Sequence, residues 1–147
     1  MKICKIISIT KKLSKHGIEV IFPIHPHTKK QISSYGISLK GIRVINPLKY
    51  SEILNMISRS QLLITDSGGL QKEAFWLNTS CITMRENTEW IETLKGKNNQ
   101  LLQNINSKDY HKILSILKTK SRKKILNKSF GNGNASEKIF SFLAKQF

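Results

Sequence analysis

The residues whose types and spacing could do chemistry lie in Thr65-Asp66-Ser67-Gly68-Gly69-Leu70-Gln71-Lys72-Glu73. A short apolar run, Leu62-Leu63-Ile64, precedes them and reads as a buried strand. The segment from Leu70 to Leu77 reads as a helix. In α/β proteins, a strand followed by Ser-Gly-Gly and a helix builds an anion site. Glycines admit close backbone approach, and the free N–H groups of the first helical turn point at the ligand. Ser67 can add a hydroxyl donor. Glu73 lies one helical turn beyond Gly69 and faces the same way. A carboxylate cannot hold a phosphate, but it accepts hydrogen bonds from a sugar diol such as a ribose. The stretch therefore suits a nucleotide-like ligand. It equally reads as a strand–helix turn with a serine cap and a carboxylate near the first helical turn. The neighbouring elements have to decide.

Those neighbours alternate. Residues 2–16 carry Ile3, Ile6, Ile7 and Leu13 at near-helical spacing, and Gly17 is a helix stop. Ile18 to Ile24 reads as a strand, His25-Pro26-His27 as its exit turn, and Lys29 to Tyr35 as a helix started by Thr28. Ile42 to Ile45 is a second strand. Asn46-Pro47-Leu48-Lys49-Tyr50 leads to a helix capped by Ser51 and running through Ile57. Gln61 to Thr65 is the third strand and Ser80 to Met84 the fourth. Thr88 caps a helix carrying Trp90, Ile91 and Leu94, and Gln100 to Gln103 is a weak fifth strand. Tyr110, Ile113, Leu114 and Leu117 mark an amphipathic helix. Ala135 to Lys145 is a last helix, with Asn134 and Glu137 spaced as a capping box. Strands alternating with helices predict an α/β fold with a parallel sheet in a single domain, residues 1–147. His25, the Pro47–Tyr50 loop, Ser67 to Gly69 and Arg85 to Glu89 all follow strand ends, the edge where such sheets bind ligands.

His25 could hydrogen-bond a phosphate or sugar. His25 and His27 form a His-x-His pair, but no Cys or carboxylate nearby completes a metal set, and no metal site is expected. Arg85 could pair with a phosphate, or with Glu86 or Glu89 at the surface. Glu89 and Glu92 could be general bases or a solvated helix face. No Ser/His/Asp or Cys/His nucleophile pattern is discernible, and no residue is assigned a catalytic role.

Composition narrows the classes. The chain has 147 residues, 39% of them apolar, enough for one domain with a core. No apolar run is long enough to span a membrane. Lys5 interrupts the apolar N-terminus, which lacks a small-residue cleavage site, so no secretory signal is expected. Cys4 and Cys81 are isolated, as in a reduced, cytoplasmic protein. The net charge of +16 raises nucleic-acid or membrane-surface binding. However, the lysines are scattered, densest at Lys118, Lys120, Arg122, Lys123 and Lys124, with no interleaved aromatic platform. Specific nucleic-acid binding is not expected.

Five motifs, taken together, are recognisable. They are Phe22-Pro23-Ile24-His25-Pro26, Asn46-Pro47-Leu48-Lys49-Tyr50, the Thr65–Glu73 stretch, Arg85-Glu86-Asn87-Thr88-Glu89-Trp90-Ile91-Glu92-Thr93, and Gly131-Asn132-Gly133-Asn134-Ala135-Ser136. In this order and spacing the chain resembles the C-terminal half of UDP-N-acetylglucosamine 2-epimerases. The resemblance implies a Rossmann-like domain of a two-domain fold like that of the GT-B glycosyltransferases, with the ligand in the cleft. It implies interconversion of UDP-GlcNAc and UDP-ManNAc through elimination of UDP, or release of ManNAc in hydrolysing relatives. By position, Ser67, Gly68 and Gly69 would hold the UDP phosphates and Glu73 the ribose hydroxyls, with Arg85 beside them. His25 matches a histidine that in some bacterial members contacts a second, regulatory UDP-GlcNAc. No cofactor is implied, and family members are often homodimers.

The sequence also departs from the family pattern. Trp90-Ile91 stand where many members have Arg-Pro, as in a Trp-containing branch. Gln71-Lys72-Glu73 replaces Gln-Glu-Glu, Ile53 replaces a common aromatic, and Gly131-Asn132-Gly133 replaces Gly-Asp-Gly. The family's N-terminal domain, with the acidic residues that move the C2 proton, has no counterpart here. Neither does the Thr-x-His-Arg-x-Glu-Asn strand and loop, which in the family is a central strand of this sheet. Without it, two inner strands should be left with unpaired backbone groups, and the lone chain should be marginal and prone to aggregate. The chain is thus expected to be a fragment whose N-terminal half, on a separate chain, is a partner. The alternatives are a non-catalytic nucleotide-binding or interaction module and, less favoured, a basic nucleic-acid binder.

Overall fold

The computed structural model describes residues 2–95, 99–103, 107–118 and 130–146. Helix α1 (Lys2–Lys15) leads into β1 (Ile21–Pro23), α2 (Pro26–Ser34) and β2 (Arg43–Ile45). Then come α3 (Tyr50–Arg59), β3 (Leu62–Thr65), α4 (Gly68–Trp76) and β4 (Ser80–Thr83). A 3-10 turn (Ile91–Leu94), β5 (Asn99–Leu101), α5 (Ser107–Lys118) and α6 (Ala135–Leu143) follow. All strand pairs are parallel, as helical crossovers require.

The best-buried strand is β4. Its side chains alternate between two faces. Ile82 and Met84 pack with Ile9 and Leu13 of α1 and Ile113 of α5. Cys81 packs the other way, with Ile57 of α3 and Ala74 of α4. Helix α1 also sends Ile7 into a separate cluster with Ile24 and Ile32, so one helix backs both groups of strands. The Tyr110 hydroxyl lies 2.9 Å from His16 Nδ1 and ties α5 to the turn after α1.

Among the described residues the strands form two sheets, β1–β2 and β3–β4–β5. Among the described residues β1 and β3 each pair on one side only. Both stay half-buried while β4 is buried. At the far end, α6 leaves Ile139, Phe140, Phe142 and Leu143 exposed, Phe140 at 74%.

Several boundaries are corrected. His25, not Thr28, caps α2, because Pro26 takes the first helical position, where its missing N–H costs nothing. α3 starts at Tyr50, before Ser51, with the Lys49 N–H donating to Glu52 Oε2 at 2.7 Å. The segment after Thr88 is a short 3-10 turn rather than a helix. Asn134 makes no side-chain cap to α6, so the expected capping box is absent. β1 is shorter than the Ile18–Ile24 run. The basic group from Lys120 to Lys124 lies outside the described residues.

Burial pushes the Cys81 thiol up to about 11, and a contact with the Thr83 hydroxyl offsets part of that. The folded thiol therefore stays protonated where an unfolded one ionises. Its contribution to stability is intact below the unfolded pKa and is lost as pH rises from about 9 to about 11. At pH 8, alkylation read by mass spectrometry should label the half-buried Cys4 and spare Cys81 until urea unfolds the chain. Ile82 is fully buried between β4 and α1. Ile82→Ala should cost about 2–5 kcal/mol in chemical denaturation, and a neutral result would place the core elsewhere.

Candidate functional site

β3 and β4 pair in register, with Thr65 opposite Thr83, and the Met84 N–H donates to the Thr65 carbonyl at 2.8 Å. The two loops that follow therefore leave the sheet side by side. One is Asp66–Gly69 and the other Arg85–Trp90.

Ser67 is the N-cap of α4, with Oγ accepting the Leu70 N–H at 3.3 Å. The cap reading of the serine thus holds, and its hydroxyl proton stays free to donate. Gly68 and Gly69 are the first two helical residues, and neither has positive φ. Gly68 is glycine for space. A Cβ there would stand 2.6 Å from Glu89 Oε1, 2.9 Å from Arg85 Nη1 and 3.3 Å from Trp90 Nε1. At Gly69 a Cβ would meet only Ser67 Oγ, at 3.7 Å. The helix N-terminus, the Glu89 carboxylate, the Arg85 guanidinium and the Trp90 indole N–H therefore meet at one point, Gly68.

Arg85 is held there by Glu89, with Nη1 3.0 Å from Oε2. Hydrogen bonding by its own backbone N–H, and then by Arg85, holds the Glu89 carboxyl below the usual carboxylate range. Glu73 sits one turn along α4, facing the Tyr50 hydroxyl at the start of α3. Hydrogen bonding to Glu73, then desolvation and the carboxylate's charge, raise the Tyr50 pKa above its ordinary value. Glu73 Oε2 is buried and has no hydrogen-bond partner. That is an acceptor suited to a hydroxyl.

The two departures at positions 72 and 90 meet. Lys72 Nζ lies 4.1 Å from the centroid of the Trp90 ring and 5.2 Å from that of Trp76. Phe130 packs edge-on to Trp76, Trp90 and Phe75, at centroid distances of 5.7, 6.0 and 5.7 Å. His25 is not part of this group. It is exposed, and its Nδ1 accepts the His27 N–H at 3.4 Å. Among the described residues no cluster of three His, Cys, Asp or Glu could hold a metal ion, and no helix is long and apolar enough to cross a membrane.

Sequence reasoning missed Tyr50 and Trp90 as site residues, and it missed the role of Gln71. Tyr50 was in view as the end of a strand-exit loop, a position that already pointed to the ligand edge. Gln71 gave no such signal, because its partners lie at 88, 93 and 99.

Comparison with known proteins identifies the family. The family model described as UDP-N-acetylglucosamine 2-epimerase matches residues 1–144. The chain is 39% identical over 142 residues to a UDP-N-acetylglucosamine 2-epimerase of Methanococcus maripaludis, covering 92% of this chain and 37% of the relative. It is 34% identical to a UDP-2,3-diacetamido-2,3-dideoxy-D-glucuronate 2-epimerase of Pseudomonas aeruginosa, covering 99% of this chain and 40% of that protein. The solved structure of the Methanocaldococcus jannaschii UDP-GlcNAc 2-epimerase in complex with UDP-GlcNAc and UDP superposes with a TM-score of 0.81. Sequence identity there is 33%, over 98% of this chain and 41% of that one. The chain thus spans about two fifths of the length of these relatives, and its α/β architecture of parallel strands and flanking helices is theirs. By sequence and by fold, it belongs to the UDP-N-acetylglucosamine 2-epimerase family.

Proposed function

We propose that this chain is the C-terminal, UDP-binding part of a UDP-sugar 2-epimerase of the UDP-GlcNAc/UDP-ManNAc type. In this reading it is one domain of that enzyme, and the residues that move the C2 proton come from an N-terminal half. The observation that carries the reading is the convergence on Gly68. The α4 N-terminus, Arg85 and Trp90 bring donors to one point, where Glu89 now pairs with Arg85, and an unpartnered Glu73 oxygen lies one turn away. Ser67, Gly68 and Gly69 would take the diphosphate together with Arg85, and Glu73 the ribose hydroxyls. His25 stands apart from them, as a second-ligand contact would.

The chemistry follows from what UDP does in such a reaction. When the C2 proton is removed, the C1–O bond breaks, its electron pair goes to the β-phosphate oxygen, and a 2-acetamidoglucal is left. Donors fixed at the diphosphate stabilise the charge that develops on the leaving group. This chain's residues would supply that stabilisation and the grip on UDP. They would not supply the proton transfer.

Two features support completion by a further segment, on this chain or another. Among the described residues β1 and β3 each have an unpaired edge, and α6 carries a bare apolar face. Isolated cysteines, one buried, suit the reducing cytoplasm. The P. aeruginosa relative acts on a different UDP-sugar, so the nucleotide is the more secure part of the substrate. A second reading is a nucleotide-binding module without catalysis, since no residue of the cradle is placed to move a proton at C2. Epimerase assays with the N-terminal half of a relative added in trans separate the two: activity restored favours the enzyme, and binding alone the module.

The first test is a thermal melt with millimolar UDP. At a hundredfold excess over the dissociation constant, binding adds about 2.7 kcal/mol, roughly 5–10 °C for a domain of this size. A cooperative melt that does not move would reject the UDP site. Glu73→Gln should weaken UDP roughly 10- to 100-fold in calorimetry while leaving inorganic pyrophosphate unaffected. Equal losses for both ligands would remove Glu73 from the ribose.

A further inference from the structure

One fully buried polar side chain lies behind the site. Gln71, on α4, has none of its surface exposed. Its Nε2 donates to Thr93 Oγ1 at 2.7 Å, and its Oε1 accepts from Thr88 Oγ1 at 2.8 Å. Each threonine hydroxyl then holds one end of the same residue. Thr88 Oγ1 accepts the Trp90 N–H at 3.1 Å, and Thr93 Oγ1 donates to the Trp90 carbonyl at 2.7 Å. The result is a closed ring of hydrogen bonds with Gln71 on one side and the backbone of Trp90 on the other.

Donors and acceptors alternate consistently around the ring. Thr93 uses its proton on the Trp90 carbonyl, so it can only accept from Gln71, and the NH2 must face it. Thr88 accepts from Trp90, so its proton goes to Oε1. In this orientation all four groups are satisfied, and the Trp90 carbonyl also accepts the Thr93 N–H at 3.1 Å. Asn99 Nδ2 donates to the Gln71 carbonyl at 3.0 Å and anchors the same residue to β5. The turn so held carries Glu89 and Trp90, whose side chains, with Arg85, stand over Gly68.

We propose that Gln71 is a positioning residue: through Thr88 and Thr93 it locks the 88–93 turn so that Trp90 Nε1 and the Arg85–Glu89 pair stay over the Gly68 cradle. The functional half of this rests on the reading of the cradle as a UDP site, whereas the structural half does not.

The test uses the full chain labelled with 15N. Its two tryptophans give two indole resonances, and Trp76→Phe identifies that of Trp90. Thr88→Val breaks the ring at a half-buried position and should keep the fold; Gln71→Met breaks it at the centre. Both should shift or broaden the Trp90 resonance, leave that of Trp76 in place, and weaken UDP about tenfold in calorimetry. Thr88→Ser, which keeps the hydroxyl, should restore both readouts. Thr79→Val is the control for stability alone. Its hydroxyl, fully buried, donates to the Ile57 carbonyl at 2.9 Å, away from the turn. It should lower Tm while moving neither the Trp90 resonance nor UDP affinity. A folded Thr88→Val chain with the Trp90 resonance in place and UDP affinity unchanged overturns the proposal. So does a Thr79→Val chain that reproduces the Thr88→Val pattern. If the parent chain does not bind UDP, the reading of the cradle falls, and the Trp90 resonance alone then decides the role of Gln71.

Discussion

The pairing of Thr65 with Thr83 in two adjacent parallel strands decides where everything else stands. Because β3 and β4 run the same way and end at the same level, their exit loops emerge as neighbours. Parallel strands need a crossover, and here it is α4, which begins inside the first loop and returns under the second. α4 therefore serves both. Its first residues form the cradle, Gln71 grips the 88–93 turn, and Glu73 reaches towards Tyr50. β4 can carry this load because it is buried on both faces, by α1 and α5 on one side and α3 and α4 on the other.

The alternation of elements was legible in the sequence because each strand is a short apolar run and each helix carries an apolar stripe. The glycine loop was legible for the same reason, since it sits where a strand period gives way to a helical one. Arg85 could be placed at the same edge because it follows a strand end, and beside the loop only through the family resemblance. The Gln71 ring could not. Its bonds reach residues 17 and 22 positions away, and no local pattern marks a glutamine whose partners are so distant. The meeting of Lys72 with Trp90 was hidden likewise. Each looked like a separate departure, and only the fold shows that the cation rests on the ring. Helix starts slipped by a few residues where a proline or a glutamate chose the first turn ahead of the nearest serine or threonine.

The expectation of a missing strand came only through the family resemblance; what the described residues show is two sheets, β1–β2 and β3–β4–β5. Physics then supplied the consequence. Two sheets that α1 backs with separate clusters remain apart in pairing. The open edges and the apolar face of α6 are two different kinds of unfinished surface: one offers backbone hydrogen bonds, the other hydrocarbon.

The Arg85–Glu89 pair has a consequence for selectivity. The guanidinium over Gly68 is already matched by a carboxylate, so the mouth of the cradle is locally near neutral. An anion seated there does not simply add to a positive site. It competes with Glu89 for one cation and for the same helix N-terminus. The outcome is set by charge density, because a group with two negative charges and several acceptor oxygens outbids a carboxylate where a single-charged one only equals it. If the cradle takes a diphosphate as proposed, it would do so as an exchanger, releasing Arg85 from Glu89 as the phosphate ester enters.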